Sequence, residues 1–271
     1  MRYTKDELER QKKERTGMES YNNNGELMKI IEYNNTSNVI VEFQDEYKFK
    51  VNTTYGSFTH GNIKNLFAKS VFGVGITGDK YPTKINGIRE KEYEAWHGML
   101  ERCYCKKTKE KQPTYKDATC CEEWLYYPNF YEWLHNQENF DKWYRGKRWC
   151  IDKDILIKGN KLYSPNTCCL VPNNVNVLFI KSDAVRGNLP IGVSIHPQHH
   201  DKFYVQMSIS KNNKRKNKFI GLYKNVNDAF NAYKKAKEKH IKQVAQEEYD
   251  NDNITKKCYD AMMNYEVEIT D

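Results

Sequence analysis

No apolar run in these 271 residues approaches the about 20 needed to cross a bilayer, which argues against a membrane-spanning helix. The opening stretch MRYTKDELERQKKERTG is too charged for the apolar core of a secretory leader. An intracellular, soluble, cytoplasmic protein is the expectation. No C-x-x-C occurs among the eight cysteines, which fall as CYC, CC, C, CC and C. Neighbours this close do not easily share one tetrahedral ion, so the spacing speaks against a structural zinc and for buried apolar thiols. The GVG at 73–75 is not continued as a dinucleotide fingerprint, and no nucleotide cofactor is expected. No Ser or Cys has a convincing His partner for covalent catalysis.

What is present is charge of one sign and many rings. Forty-four Lys and Arg stand against 36 Asp and Glu, a formal +8, with 20 Tyr, 11 Phe and 5 Trp. Such a surplus suits a surface that meets phosphates and stacks bases, and equally a merely basic surface. The length suits two or three small domains.

Along the chain, residues 3–16 read as a charged helix or an arm that orders on a partner. From Gly25 the apolar positions Leu27, Met28, Ile30 and Ile31, then Val39, Val41 and Phe43, flank NNTSN and predict a β-hairpin. Further strands over Asp45 to Val51 and around Tyr55 and Phe58 would complete a small β module ending near GNIKN. The glycine-rich 71–87 reads as a connector. Tyr93, Trp96, Met99, Leu100 and Cys103 recur at helical spacing, and Phe130, Trp133 and Leu134 share a second helical face. Next come a strand WCIDKDILI, the turn KGNKLYSPNT, a strand CCLV and a helix beginning after Pro172: strand, loop, strand, helix. PIGVSIHP, KFYVQMSIS and KFIGLY then predict three antiparallel strands, and NVNDAFNAYKKAKEKHIKQVAQEEY a helix across them, which would be a domain able to fold alone. The fold class is α+β and multi-domain: 1–70 a charged N-terminal arm and small β module, 71–185 a ββα unit with flanking helices, 186–250 a three-stranded sheet plus one helix, and 251–271 a C-terminal tail.

Two resemblances rest on these residues. YEAWHGMLERCY, CCEEW and IDKDILIKGNKLYSPNTCCLVPNNVN resemble the middle part of phage-encoded HNH (ββα-metal) endonucleases, over 71 to about 182. GVSIHP, KFYVQMSI and FIGLYKNVNDAFNAY are similar to the Apetala-type (ethylene-response-factor) DNA-binding domain. The second implies a sheet laid in the major groove of double-stranded DNA, whose outward side chains would be Ser194, His196, Lys202, Tyr204, Gln206, Ser208 and Lys218, with Lys211, Lys214, Arg215, Lys216 and Lys218 contacting phosphates. Plant domains of this type read with Arg and Trp, which these strands lack.

The HNH resemblance implies one divalent cation, Mg²⁺ or Mn²⁺, and water attacking a phosphodiester. Asp152 matches the metal-binding acid, Asn166 the asparagine that braces the finger, and Asn174, with Asn173 or Asn176, the last position of the motif. Lys153 stands where the family keeps its histidine base, and a lysine is a poor base near neutrality. Strand alternation would place Asp152 and Asp154 on one face, able to share the metal, with Lys153 opposite. The expected function is therefore a phage-type DNA-binding protein with metal-dependent DNA endonuclease activity. The alternative is a catalytically inactive DNA-binding or host-interaction factor, such as an antagonist of host defence acting on a host protein, built on a degenerate HNH scaffold.

Overall fold

The computed structural model describes residues 4–180, 188–211, 214–269 and 271. The chain folds as two units, Met1–Glu90 with Leu125–Pro128, and Lys91–Trp124 with Asn129–Asp271. The architecture is α+β, with several small sheets rather than one large one. Among the described residues no helix is long and apolar enough to cross a membrane.

The first unit begins with α1 (Lys5–Arg15), started by a capping box in which Thr4 and Glu7 each satisfy the other's backbone N–H. A four-stranded antiparallel meander follows: β1 (Glu19–Tyr21), β2 (Leu27–Asn35), β3 (Asn38–Phe43) and β4 (Lys50–Thr53). Met28, Ile30, Tyr33, Val39, Val41 and Phe43 are fully buried; burial alternates along β3 and along β2 up to the irregularity between Ile30 and Glu32, which brings Tyr33 inward. Tyr55 and Phe58 are not in a strand: Thr54 accepts from Ser57 N–H and starts the one-turn helix α2 (Tyr55–Thr59). A short hairpin, β5 (Lys84–Ile85) and β6 (Ile88–Arg89), closes the segment read as a connector.

The second unit opens with α3 (Lys91–Tyr104) and α4 (Lys106–Lys111), then β7 (Thr119–Cys120), α5 (Tyr127–His135, whose first two residues belong to the first unit) and α6 (Phe140–Arg145). Trp96, Met99, Leu100 and Cys103 form the buried stripe of α3, and Trp96 Nε1 donates to Trp124 O at 2.6 Å. Lys91 bonds the carbonyls at the end of α6, Tyr144 O at 3.0 Å and Gly146 O at 2.9 Å. Then come β8 (Trp149–Asp152), β9 (Leu162–Tyr163), β10 (Cys169–Pro172), α7 (Asn173–Asn176), β11 (Val193–Ile195), β12 (Phe203–Lys211), β13 (Lys214–Tyr223), α8 (Val226–Asp250) and α9 (Lys256–Met263).

The boundary expected at 185/186 lies outside the described residues, and that at 250/251 is not where packing ends. Ala229, Phe230 and Tyr233 of α8 pack under the β11–β12–β13 sheet with Val193, Val205, Met207 and Val267. Ile241 and Ala245, further along the same helix, pack with Ile155, Cys169, Val171, Cys258 and Met262. One helix thus serves two cores, and the residues read as a tail contribute to both. A 186–250 fragment would expose Ile241 and Ala245 and lack Val267.

Candidate functional site

The hairpin around Asp152 has the strand, loop, strand, helix order that its sequence suggested. β8 pairs antiparallel with β10, Asp152 opposite Cys169 and Trp149 opposite Pro172, and α7 follows at once as a single turn. The strand stops at Asp152, however. Its Oδ1 accepts from Asp154 N–H at 2.7 Å and Ile155 N–H at 2.8 Å, a side-chain turn that bends the chain out of the strand. Alternation therefore does not extend to Asp154 and does not by itself put the two carboxylates on one face, but Asp154 is near enough for its charge to add to the burial that raises Asp152. Asp154 Oδ1 instead takes the Lys153 ammonium at 2.5 Å.

Lys153 is only 5% exposed. Its Nζ also donates to Asn160 O at 3.1 Å and lies 5.6 Å from the Tyr163 ring centroid. Arg102 lies at the same 5.6 Å from that ring. Lys153 is thus a buried ion-pair partner. Bracing of the loop, expected of Asn166, is done by Asn160, whose Nδ2 bonds Lys153 O at 2.8 Å and Leu162 O at 2.7 Å. Asn166 offers its backbone carbonyl to Lys257 at 3.1 Å. Asn174 donates to Glu248 and ties α7 to the last turns of α8. Asn160 was missed because turn residues of the KGNK type read as loop, and which side chain folds back onto the backbone is set by the loop's path.

Burial raises the Asp152 carboxyl above its ordinary 3.8, partly opposed by its two backbone N–H bonds. Among the described residues no group of three or more His, Cys, Asp or Glu side chains stands together as a metal site. One oxygen of each of Asp152 and Asp154, Oδ1, is engaged as above. The thiols are all unpaired as disulfides, and burial pushes Cys103 up to about 11 and Cys168 up to about 12, so both stay protonated near neutrality. His135 lies between the rings of Tyr131 and Phe140, with centroids at 4.0 and 3.9 Å, and bonds Glu92 at 3.1 Å.

These bonds carry a stability prediction. The folded state binds the Asp152 proton more tightly than the unfolded chain, so its share of stability declines as pH rises from 3.8 through the raised folded value. Asp152→Asn keeps the Oδ1 acceptor and should lack that slope, whereas Asp152→Ala strands two N–H groups and should cost about 1–3 kcal/mol. Urea midpoints of the three proteins across the acid range check both; an Ala variant as stable as Asn would overturn the assignment.

The sheet is the second candidate. β12 pairs with β11 on one side and β13 on the other, all antiparallel. Phe203, Val205, Met207 and Ile209 face α8, so Lys202, Tyr204, Gln206 and Ser208 lie on the outer face with Ser194. Ile220 is the extra residue of a bulge opposite Val205 and Gln206. Beyond it Gln206 faces Phe219 and Ser208 faces Asn217, which adds Phe219 and Asn217 to the outer face, while Lys218 pairs with Met207 on the helix side. Burial, then Lys237 and to a smaller degree Lys218, lowers the His240 imidazole on α8, consistent with Lys218 on that side. Its expected outward reading position is thereby corrected. His196 turns its Nδ1 to the N–H groups of Gln198 and His199, at 3.1 and 3.0 Å, and shapes the β11–β12 turn.

Tyr204 and Phe219 pack ring to ring at 5.0 Å on the outer face, and Phe219 is 52% and Leu222 43% exposed. Sequence reasoning missed Phe219 and Asn217 because a one-residue bulge inverts the alternation on which the reading relied, and it did not single out Leu222, which that alternation would have placed outward. Lys216 is exposed at the far end of β13. The side chains of Lys211, Lys214 and Arg215 lie outside the described residues. A further basic stripe, Lys235, Lys239 and Lys242, runs along the exposed side of α8. No family model, curated protein or solved structure matches the chain. The reading of function therefore rests on the geometry and the residues themselves.

Proposed function

We propose that the chain is a DNA-binding protein whose β11–β12–β13 sheet meets double-stranded DNA. The observation that carries this is the ribbon from Lys202 to Lys224, which holds seven Lys and Arg and no acid, while its outer face is open and the helix covers the other. A two-stranded ribbon fits the major groove, and ammonium groups along its rim meet phosphates as point charges. The Apetala-type resemblance of the same residues supports the same placement.

Binding of the full chain to a duplex should weaken steeply with salt, by roughly 0.9 in log–log slope per phosphate contact. Lys202→Ala, the outer-face cation, should lower affinity alike for all sequences and shallow that slope, whereas Lys216→Ala and Lys218→Ala, paired with the inward Ile209 and Met207, should change it less. Anisotropy titrations at several salt concentrations check this; a salt-indifferent affinity, or none at low salt, would remove the proposal.

A second reading, metal-dependent cleavage, is favoured by the strand, loop, strand, helix order with Asp152 at the hairpin end. It would rest on Asp152, together with the HNH resemblance. Supercoiled plasmid with Mg²⁺ or Mn²⁺ tests it: nicking by the wild type that Asp152→Asn abolishes supports an endonuclease, and intact plasmid under both ions leaves a binding protein on an HNH-like scaffold.

A further inference from the structure

The outer face of the sheet has a chemical bias beyond its charge. Across the β12–β13 ribbon, Tyr204 stands opposite Leu222, Gln206 opposite Phe219, and Ser208 opposite Asn217. Apolar surface and carboxamides thus alternate at the centre, and the cations lie at the ends and on the helix side. Lys202, half-buried just before β12, is the single cation among the described residues of this face.

In the major groove each base pair presents a different edge. Arginine or lysine pairs best with guanine, asparagine or glutamine with adenine N6 and N7, and apolar side chains with the thymine methyl. A face of two carboxamides, two hydroxyls, two rings and a leucine therefore matches adenine and thymine edges and offers guanine little. Outer positions two residues apart along a strand are about 6.6 Å apart, close to two base-pair steps, so Tyr204, Gln206 and Ser208 address every second step without stretching.

We infer that this face selects A·T-rich duplex, Gln206 and Asn217 bonding adenine and the Tyr204, Phe219 and Leu222 surface packing on thymine methyls. The inference rests on the reading of the sheet as a major-groove surface. Charge complementarity commits the occupant to a polyanion, and the amide and apolar pattern chooses among its sequences.

The test uses the full chain and anisotropy with equal-length duplexes: A·T-rich, G·C-rich, and the A·T-rich duplex with every thymine replaced by uracil, plus the A·T-rich single strand. A·T-rich duplex should bind about tenfold or more tighter than G·C-rich duplex. Uracil should weaken binding several-fold, and Phe219→Ala should erase the difference between thymine and uracil. Gln206→Ala, on an open face away from the core, should shrink the A·T over G·C ratio. Equal affinity for the two compositions, ratios that neither variant moves, or tighter binding of the single strand each overturn the selection. Binding to no duplex at all fails the parent reading instead, which keeps the two failures distinct.

Discussion

Ending the chain after Asp250 should leave the second unit without cooperative folding. The cut removes Ile254, Cys258, Met262 and Val267, each at most 3% exposed and spread over both cores that α8 serves. Truncating one large buried apolar side chain costs about 2–5 kcal/mol, and whole domains are stable by only about 5–15. Losing three large side chains and a thiol together exceeds that margin. The polar ties go as well: Lys158 would lose Glu268 and Asp271, at 3.1 and 3.0 Å, and Glu266 O at 2.8 Å. Urea unfolding followed by circular dichroism measures the outcome. A sigmoidal transition near the full-length midpoint would show that these residues are an appendage.

Gly192→Ala is the second large effect. Gly192 has φ +75°, and an added Cβ would lie 2.1 Å from Cδ2 of the buried Tyr233 on α8. The left-handed backbone costs about 1–2 kcal/mol and overpacking a core about 1–3 more. A loss of about 3 kcal/mol or more is expected, with duplex binding lost alongside, since β11 begins at the next residue. Gly159→Ala is the control: its φ is +76° but nothing lies within 4 Å of the added carbon. It should show the backbone cost alone. Equal losses at the two positions would mean that Tyr233 yields and the clash is harmless.

Much of the fold was legible where one period governs a whole element. The β2–β3 hairpin follows from alternating burial on either side of NNTSN, and α3 from Trp96, Met99, Leu100 and Cys103. Legibility ended where a side chain competes with the backbone. Asp152 closes a turn that stops β8, and Thr54 starts a helix where apolar spacing suggested a strand. It ended again at Ile220, whose bulge exchanges the faces of β13. Among the candidate catalytic residues, Lys153 pairs with Asp154, Asn160 rather than Asn166 bonds the loop backbone, and Asn174 ties to Glu248. Each contact comes from loop geometry, which carries no period for a sequence to reveal.

The continuous helix α8 also sets a length. From Phe230, under the sheet, to Ile241, against the Asp152 hairpin, eleven residues at 1.5 Å each make about 17 Å, since both belong to one unbroken helix. That is roughly five base-pair steps. A rod cannot stretch as a linker does, so the offset between whatever the sheet reads and whatever the hairpin touches is constant. If the hairpin cuts, its products should end at one defined distance from the bound sequence, and inserting four alanines after Lys237 should move that end by about two nucleotides while rotating the sheet by more than a full turn.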